Sequence, residues 1–503
     1  MKDYIVKRPM LLCGMLCCII SFLGLYFSKF LLPIGIILAV LTGWLVYKKA
    51  KPQVVFCLLL CIIMLLSTFY TLAKITRLNR FDGAECAAKL VLCENTYNGE
   101  GYYGAVVEVV ESESLPNGTK LYGFYNSVDI ESGEVFTANI KLKKIDNDRR
   151  AQNYSEGIYL TASLTEIRLR PEKHDFILTG IGKVRNYIKT TVFSNMNYSE
   201  SATVCALLFG DKSYFTNEFY SNVKGAGVSH VMVVSGMHLS ILITFFCYFM
   251  DKCAYNRFIK AFVVVMVTLA LTMLCGFTMS MLRAGITYFL IAVSLLLNRK
   301  STPENTLGAA AVIILIFSPF AMHDLALELS FLSTFGILVI ALPVISFAKE
   351  NDIIKNKIAL WFFSSVAITI CAMLMTLPLV IYKLGYLSLV AVITNLLISG
   401  AVSVVIWLCG IGLILNLFIP FIVVPVFKAA EVLVSYINSV INTLGSLPFS
   451  AVRVPQFAAI PACMLIAVII KILLACKRRH NMIKLNRLIE KIKDEGGKEL
   501  KWQ

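Results

Sequence analysis

Residues Val54–Ala73 read VVFCLLLCIIMLLSTFYTLA and contain no charged residue. A helix needs roughly 20 apolar residues to cross the bilayer core, so this run is long enough to span a membrane. Two further apolar runs precede it, at Leu11–Phe27 and Leu31–Tyr47. The first lacks a small-x-small cleavage site and is followed at once by the other two, so we interpret it as a retained helix. Residues 1–75 are therefore predicted to form three transmembrane helices.

The composition of the whole chain is that of a membrane protein. Of the 503 residues, 58% are apolar and 16% are charged, and the mean hydropathy is +0.75. Ordinary soluble domains are about 45–50% apolar and about 25% charged. These values exclude a soluble enzyme, a disordered chain and a disulfide-rich secreted module. The predicted fold class is a polytopic α-helical membrane protein with about 10–12 transmembrane helices.

Basic residues are distributed unevenly around the three N-terminal helices. They are Lys2, Lys7 and Arg8 before the first helix, Lys29 between the first and second, and Lys48, Lys49 and Lys51 between the second and third. The positive-inside rule therefore predicts a cytoplasmic N-terminus and an external location for the residues after Ala73. The chain has a net charge of +16. Basic cytoplasmic loops are the first explanation of this excess, and contact with nucleic acid is the second.

Residues 76–176 have a different pattern and predict a small external β domain after the third helix. They contain 12 Lys/Arg and 16 Asp/Glu, a net charge of −4. Apolar and polar residues alternate in five short runs, with turn residues such as Pro116-Asn117-Gly118 between them. The runs are Glu85–Glu94, Tyr102–Glu111, Lys120–Asn126, Glu134–Ile145 and Gly157–Arg168. Five strands in this length fit an OB-like barrel or a small sandwich.

Aromatic and basic residues of this domain are candidates for contact with nucleic acid. Bases stack on aromatic side chains of the second and third strands in OB folds, and basic residues bind the phosphate backbone. The candidates are Tyr102, Tyr122, Phe124, Lys141, Lys143, Lys144, Arg149 and Arg150. The alternative is that the aromatic residues are ordinary strand and core residues, and the acidic net charge argues against strong backbone binding.

The rest of the chain is predicted to form three further parts. Residues 177–227 contain an amphipathic helix, with Ile181, Val184 and Ile188 on one face, and are predicted to lie on the membrane surface. Residues 228–476 form a second polytopic block. Residues 477–503 form a basic cytoplasmic tail, which places the predicted C-terminus in the cytoplasm.

Polar residues inside the second block are costly in a bilayer and are therefore candidate functional residues. They are His230, Ser235, Gly236, His238, Arg283, Asp324, Glu328, Ser330 and Asn395. Asp324 and Glu328 are four residues apart and are predicted to share one helix face. Arg283, on another segment, is the predicted ion-pair partner of one of these two acids. A structural salt bridge and a substrate path explain these charges equally well. Close packing through small residues is a further explanation for Ser235 and Gly236.

Enzyme chemistry has little support in the sequence. Ser235 and His238 are three residues apart and could form a Ser–His dyad, but no G-x-S-x-G elbow is present. No CxxC pair and no H-E-x-x-H motif occurs, and most of the 15 cysteines lie in apolar segments, where they pack as small hydrophobes. We therefore expect no enzymatic activity, no metal site and no cofactor.

Several motifs together resemble the ComEC family of competence proteins. Family members read approximately L-G-D-R-S and then G-x-x-H-x-x-x-I-S-G-x-H, as in Phe209–Ser213 and Gly227–His238 of this chain. Further similar segments are Arg283-Ala284, Ser318-Pro319 through Asp324, Glu328-Leu329-Ser330-Phe331, and Leu377-Pro378 with Gly385 and Leu396. Glu328 stands where glutamine is common in the family. The resemblance covers nearly the whole chain.

The resemblance implies a channel in the bacterial cytoplasmic membrane that imports single-stranded DNA during natural transformation. It also implies an OB-like external domain that receives DNA. Long family members carry a C-terminal metallo-β-lactamase-like domain, which we do not find here, so a nuclease is expected to act from another polypeptide. Other expected partners are membrane lipid, an external DNA receptor and a cytoplasmic helicase. The remaining alternatives are a secondary transporter of small solutes and an intramembrane serine hydrolase.

Overall fold

The computed structural model describes residues 8–47, 52–98, 102–126, 133–173, 176–232, 234–253, 255–299, 301–351, 354–469 and 471. The predicted tail at 477–503 and parts of the turns predicted around Gly99 and Ser132 lie outside these residues. The side chain of Tyr102 is also outside the described part. The chain divides into two compact units, residues 1–331 with 393–447, and residues 332–392 with 448–503.

Three helices begin the first unit: α1 (Pro9–Tyr26), α2 (Leu31–Tyr47) and α3 (Pro52–Leu78). Helix α1 packs closely on α11 (Pro303–Phe317), and small residues allow this approach. A Cβ on Gly14 would lie 2.8 Å from the carbonyl oxygen of Gly308. Near the same end of both helices, Arg8 Nη2 lies 2.7 Å from Glu304 Oε1.

Five strands follow and close into a barrel. They are β1 (Glu85–Asn98), β2 (Tyr102–Ser112), β3 (Lys120–Asn126), β4 (Glu134–Lys144) and β5 (Leu160–Lys173), with helix α4 (Asn147–Ser155) before β5. The order around the barrel is β1-β2-β3-β5-β4, with β3 and β5 parallel and β4 antiparallel to β1. The five predicted strands are confirmed, although β1 and β5 extend further than the alternation indicated. Helix α4 was not predicted, because its nine residues carry only a short, mostly polar pattern.

The barrel interior and its contact with the helices are both apolar. Leu90, Leu92, Val107 and Phe136 are fully buried inside the barrel. A second cluster joins the barrel to the helices and contains Leu25, Ile75, Ile145, Tyr154, Ile158 and Phe320, with Tyr122 packed against it. The barrel therefore rests on the ends of α1 and α3 through a buried apolar contact.

The other helices of the first unit pack around more than one apolar core. They are α5 (Phe176–Asn195), α6 (Tyr198–Phe209), α7 (Asn217–Gly225), α8 (Gly236–Lys252), α9 (Arg257–Leu274), α10 (Met279–Leu296), α11, the first turns of α12 (Leu325–Gly336), α15 (Ala391–Asn416) and α16 (Pro420–Gly445). Val228, Val231 and Met232, between α7 and α8, are buried in one of these cores with Ile398 and Val402 of α15. The segment Gly225–His238 is thus anchored by its apolar residues, and its last polar residues, Ser235 and His238, lie at the start of α8.

The second unit contains the rest of α12, a π-helical turn at Ile337–Ala341, α13 (Leu342–Glu350) and α14 (Lys357–Leu384). Strand β6 (Tyr386–Ser388) pairs antiparallel with β7 (Ala451–Arg453), and an apolar helix follows at Gln456–Ile469. Ile340, Ala341 and Cys371 form its buried core.

Eight helices of the described residues are long and apolar enough to cross a membrane. They are Pro9–Tyr26, Val54–Phe81, Arg257–Leu274, Met279–Leu296, Leu325–Glu350, Lys357–Leu384, Ala391–Asn416 and Val423–Gly445. Three shorter apolar helices are also present. The protein is therefore a mostly helical, multi-pass membrane protein with a five-stranded barrel. The count of 10–12 spans stays a prediction.

Candidate functional site

The first candidate residues meet at the N-terminus of α8. Ser235 is the N-cap, and its Oγ accepts a hydrogen bond from the Met237 N–H at 3.3 Å. The Nδ1 atom of His238 accepts the Ser235 backbone N–H at 3.2 Å and also lies 3.2 Å from Ser235 Oγ. Together these contacts form a capping box, in which a side chain at the third helical position reaches back to the cap. The pattern S-G-M-H therefore begins a helix here.

The cap leaves one polar atom of His238 available. Because Nδ1 accepts a hydrogen bond, the neutral ring carries its proton on Nε2. His238 is 2% exposed, and its Nε2 has no hydrogen-bond partner within the described residues. A buried donor without a partner costs about 1–3 kcal/mol, which an acceptor group placed beside it would recover.

Arg283 lies against the start of α8 from the neighbouring helix α10. A Cβ on Gly236 would lie 3.1 Å from Arg283 Nη2, so the absence of a side chain at Gly236 makes room for the guanidinium. Arg283 Nε donates to Ser330 Oγ at 2.7 Å, and the guanidinium carbon lies 5.8 Å from the centre of the Phe331 ring. The residue is buried, with 8% of its surface exposed.

The predicted ion pair of Arg283 with Asp324 or Glu328 is wrong. Within the residues that the structure describes, no carboxylate oxygen lies within 4.0 Å of the Arg283 guanidinium. Asp324 precedes α12 and caps it, because its Oδ1 accepts the Leu327 N–H at 2.8 Å. Its carboxylate thus serves a helix terminus, and only Glu328 is inside the helix. Among the residues that the structure describes, the positive charge of Arg283 has no carboxylate counter-charge within 4.0 Å.

His230 and His238 do not share a helix face. His230 is an exposed residue of the turn before α8, while His238 is buried inside its first turn. The chain changes direction at Gly227, whose φ is +72°. Asn395 lies half-buried in the second turn of α15, and the structure leaves its proposed role untested.

The site also contains a residue that the sequence reasoning missed. Ser280 Oγ donates to Ser330 Oγ at 3.2 Å, which orients the hydroxyl that accepts from Arg283. Ser280 is three residues before Arg283, so the helical period already placed both on one face of α10. We call Ser235, Gly236, His238, Ser280, Arg283 and Ser330 the arginine cluster. Its helix N-terminus, guanidinium and free imidazole N–H together suit a negatively charged group.

A second polar contact joins α5 to the loop after α6. Lys189 Nζ lies 2.8 Å from Asp211 Oδ2 and 5.3 Å from the centre of the Tyr214 ring. Asp211 Oδ1 also accepts the Ser213 N–H at 3.0 Å. The loop leaves α6 at Gly210, where φ is +82° and glycine carries no steric penalty. This contact makes the F-G-D-K-S segment a structural clamp between α5 and the loop after α6.

Replacing Asp211 by asparagine is expected to change how stability depends on pH. Burial alone would raise the pKa of Asp211, but the hydrogen bonds from Lys189 and Ser213 and the lysine charge outweigh it and hold that pKa below its usual value. A depressed carboxyl pKa stabilises the fold above the unfolded value of about 3.9, and this contribution is lost as the pH falls through the folded value. Thermal unfolding in detergent should therefore show a lower melting temperature for Asp211→Asn at neutral pH. The difference from wild type should shrink in acid below about pH 4; a constant difference would contradict the ion-pair explanation.

Most of the candidate nucleic-acid-binding residues of the barrel already contact other residues of this protein. The Tyr122 and Phe124 rings contact each other edge-on at 5.1 Å, and Tyr122 also packs on the apolar cluster below the barrel. Lys141 Nζ lies 2.7 Å from Glu85 Oε1, and Lys143 Nζ lies 3.9 Å from Asp146 Oδ1. Arg150 stacks on the Tyr154 ring at 5.2 Å. The remaining exposed cations of the predicted set are Lys144 and Arg149.

Comparison with known proteins finds one matching family model and several related proteins. The family model described as "Competence protein" matches residues 207–479, more than half of the chain. "ComE operon protein 3" of Bacillus subtilis is 23% identical over 336 residues, which are 65% of this chain and 41% of that protein. "Uncharacterized protein MG316 homolog" of Mycoplasma pneumoniae is 29% identical over 251 residues, which are 47% of this chain and 58% of that protein. No solved structure matches.

The matched region and the described site coincide. Residues 207–479 include the whole arginine cluster and Asp211 of the clamp, although this chain spans less than two thirds of the length of either relative. The resemblance seen in the motifs is thus confirmed by a match over more than half of the chain. This protein therefore belongs to the competence protein family, and within it to the ComEC family.

Proposed function

We propose that this protein forms a channel that imports single-stranded DNA across the cytoplasmic membrane during natural transformation. One observation carries the proposal. Arg283 is buried, has no carboxylate partner among the described residues, and lies against the N-terminus of α8. An unpaired buried charge costs several kcal/mol, so its presence calls for a function that uses the charge.

A DNA strand would supply Arg283 with the counter-charge that the described residues do not provide. Each nucleotide carries one phosphate, and guanidinium groups and helix N-termini are the usual protein partners of phosphate. A transport path must also release each phosphate, so a single arginine is more suitable than a dense row of cations. In this proposal the phosphates pass the arginine cluster one at a time, with Arg283 and His238 Nε2 as donors and Asn395 as a further lining residue.

We further propose that the barrel is an OB-like domain on the outside of the membrane. The strand order β1-β2-β3-β5-β4 and the parallel pairing of β3 with β5 support an OB-like topology. A role in receiving DNA would use Phe124, Lys144 and Arg149, because Tyr122 and the other basic residues have partners within the protein. An external receptor would bring DNA to this domain, while a cytoplasmic helicase and a separate nuclease would act at the other stages.

A deletion strain tests the proposed function directly. We expect natural transformation to be lost while transformation by electroporation stays at the wild-type level, because electroporation bypasses the proposed path. Both assays use the same selectable DNA in a host known to be competent. Equal transformation of deletion and wild-type strains by both routes would exclude the channel and would favour a transporter of small solutes.

Substitutions of Ser235 separate the channel from the serine hydrolase. The 3.2 Å contact between Ser235 Oγ and His238 Nδ1 resembles a dyad, but the Ser235 N–H already donates to that nitrogen and Oγ caps the helix. We therefore expect Ser235→Ala to lower natural transformation only several-fold, through a cap loss of about 1 kcal/mol. Ser235→Trp should abolish it, because the indole fills the space in front of Arg283. Labelling of Ser235 by a serine-reactive phosphonate would support the hydrolase instead.

A further inference from the structure

Three cysteine thiols meet between α1 and α3, far along the chain from the arginine cluster. The Sγ atoms of Cys13, Cys17 and Cys61 all lie within 4.8 Å of one another. Cys13 and Cys17 are fully buried, and Cys61 is 1% exposed. The proposed transport function makes no use of these groups.

The local structure explains why the thiols converge. Cys13 and Cys17 are four residues apart in α1, so their side chains share one helix face. The face of α1 at Gly14 packs closely on Gly308 of α11. This contact fixes the rotation of α1 about its axis, and with it the direction of the two thiols. Cys61 then approaches from α3. The thiol of Cys13 donates to the carbonyl oxygen of Cys57 at 3.4 Å. Cys57 lies one turn before Cys61 in α3.

We propose that Cys13, Cys17 and Cys61 bind a thiophilic d10 metal ion, Zn²⁺ or Cu⁺, through their sulfur atoms. Metal–sulfur distances of about 2.3 Å in a trigonal arrangement put the sulfur atoms about 4.0 Å apart. The three Sγ atoms here all lie within 4.8 Å of one another, so they are close enough to bind one ion. Thiolate ligands select these soft ions over Mg²⁺ or Ca²⁺. The absence of CxxC pairs predicted no metal site, but a pair spaced by four residues on a helix serves equally well.

The net charge of the occupied site and the compartment that it faces both affect which ion binds. Three thiolates leave a net charge of −1 around Zn²⁺ and −2 around Cu⁺, so the low dielectric of the helix bundle favours Zn²⁺. The cysteines lie near the start of α1, which the predicted orientation places toward the cytoplasm, where thiols stay reduced. The bound ion would join α1 to α3 and stabilise the N-terminal helices.

The metal content of the full-length protein tests the site. The protein is purified in detergent under reducing conditions without chelator, and its zinc and copper are measured by mass spectrometry before and after loading with Zn²⁺ or with Cu⁺. We expect about one ion per chain in the wild type and at least about tenfold lower occupancy in Cys61→Ser. Loading should also raise the melting temperature of the wild type and leave that of Cys61→Ser unchanged.

Cys18→Ser is the matched control. Cys18 follows Cys17 directly, but its Sγ faces Met322 Sδ at 3.8 Å and is outside the cluster. This variant should bind metal as the wild type does. Equal metal content in wild type and Cys61→Ser, loss of metal in Cys18→Ser, or a disulfide among the three cysteines in the purified protein would each overturn the proposal.

Discussion

Arg283→Met should lower natural transformation by about 100-fold while leaving transformation by electroporation unchanged. Methionine has a similar length and fills the space beside Gly236, but it removes the charge and the hydrogen bond to Ser330. Hydrogen bonds to charged groups contribute about 1.5–3 kcal/mol, and each 1.4 kcal/mol changes an equilibrium tenfold. Since every nucleotide passes the same residue, the loss applies to each step of transport.

Two further variants separate charge from geometry. Arg283→Lys keeps the charge but loses the planar fork, and we expect an intermediate level of transformation. Ser330→Ala keeps the guanidinium and removes one acceptor, so its loss should stay below about tenfold. The assay is the number of natural transformants per recipient, normalised to electroporation and to the amount of protein in the membrane.

Arg185→Met is the control for a general effect of removing an arginine. Arg185 is half-buried, and its Nε donates to the carbonyl oxygen of Leu274 at 2.9 Å, outside the arginine cluster. We expect this variant to transform at a near-wild-type level when its amount in the membrane is normal. Wild-type transformation by Arg283→Met at normal protein levels would contradict the proposed phosphate path.

The parts of the fold that depend on local pattern could be predicted from the sequence. The strands β1 to β5 follow from alternation of apolar and polar residues, and helices α1 to α3 follow from uninterrupted apolar runs. Ser235 and His238 could be recognised as neighbours, because three residues separate them along the chain. Their role as a helix cap depends on where the helix begins, and Gly236 alone did not reveal that.

Contacts between distant segments could not be predicted in the same way. Arg283 had two acidic candidates at similar separation, and the sequence could not show that Asp324 is used to cap α12. The partner of Arg283 is Ser330, a small hydroxyl with no charge to mark it. The Lys189–Asp211 pair likewise joins residues on different elements, and helical periodicity says only which face Lys189 occupies. Tertiary packing decides such pairs.

Gly308→Ala should lower the free energy of unfolding by about 1–3 kcal/mol, the usual cost of overpacking a tight contact. A Cβ at this position would lie 2.5 Å from Leu11 Cα and would also contact the Met10 carbonyl oxygen. These are backbone atoms, which cannot rotate away as a flexible side chain does. The change would push α1 from α11 and would disturb the Arg8–Glu304 contact. Thermal unfolding of the purified protein in detergent measures the effect.

Gly400→Ala in α15 is the matched control, because it makes the same substitution in another apolar helix. No atom lies within 4 Å of a Cβ built on Gly400, so the methyl group has space there. Alanine is favoured over glycine in a helix interior by about 1 kcal/mol, and the control should therefore melt at the wild-type temperature or above it. Equal melting temperatures for the two variants would show that α1 and α11 do not approach each other through Gly308. A drop confined to Gly308→Ala would establish that close packing of these two helices holds the N-terminal part of the fold together.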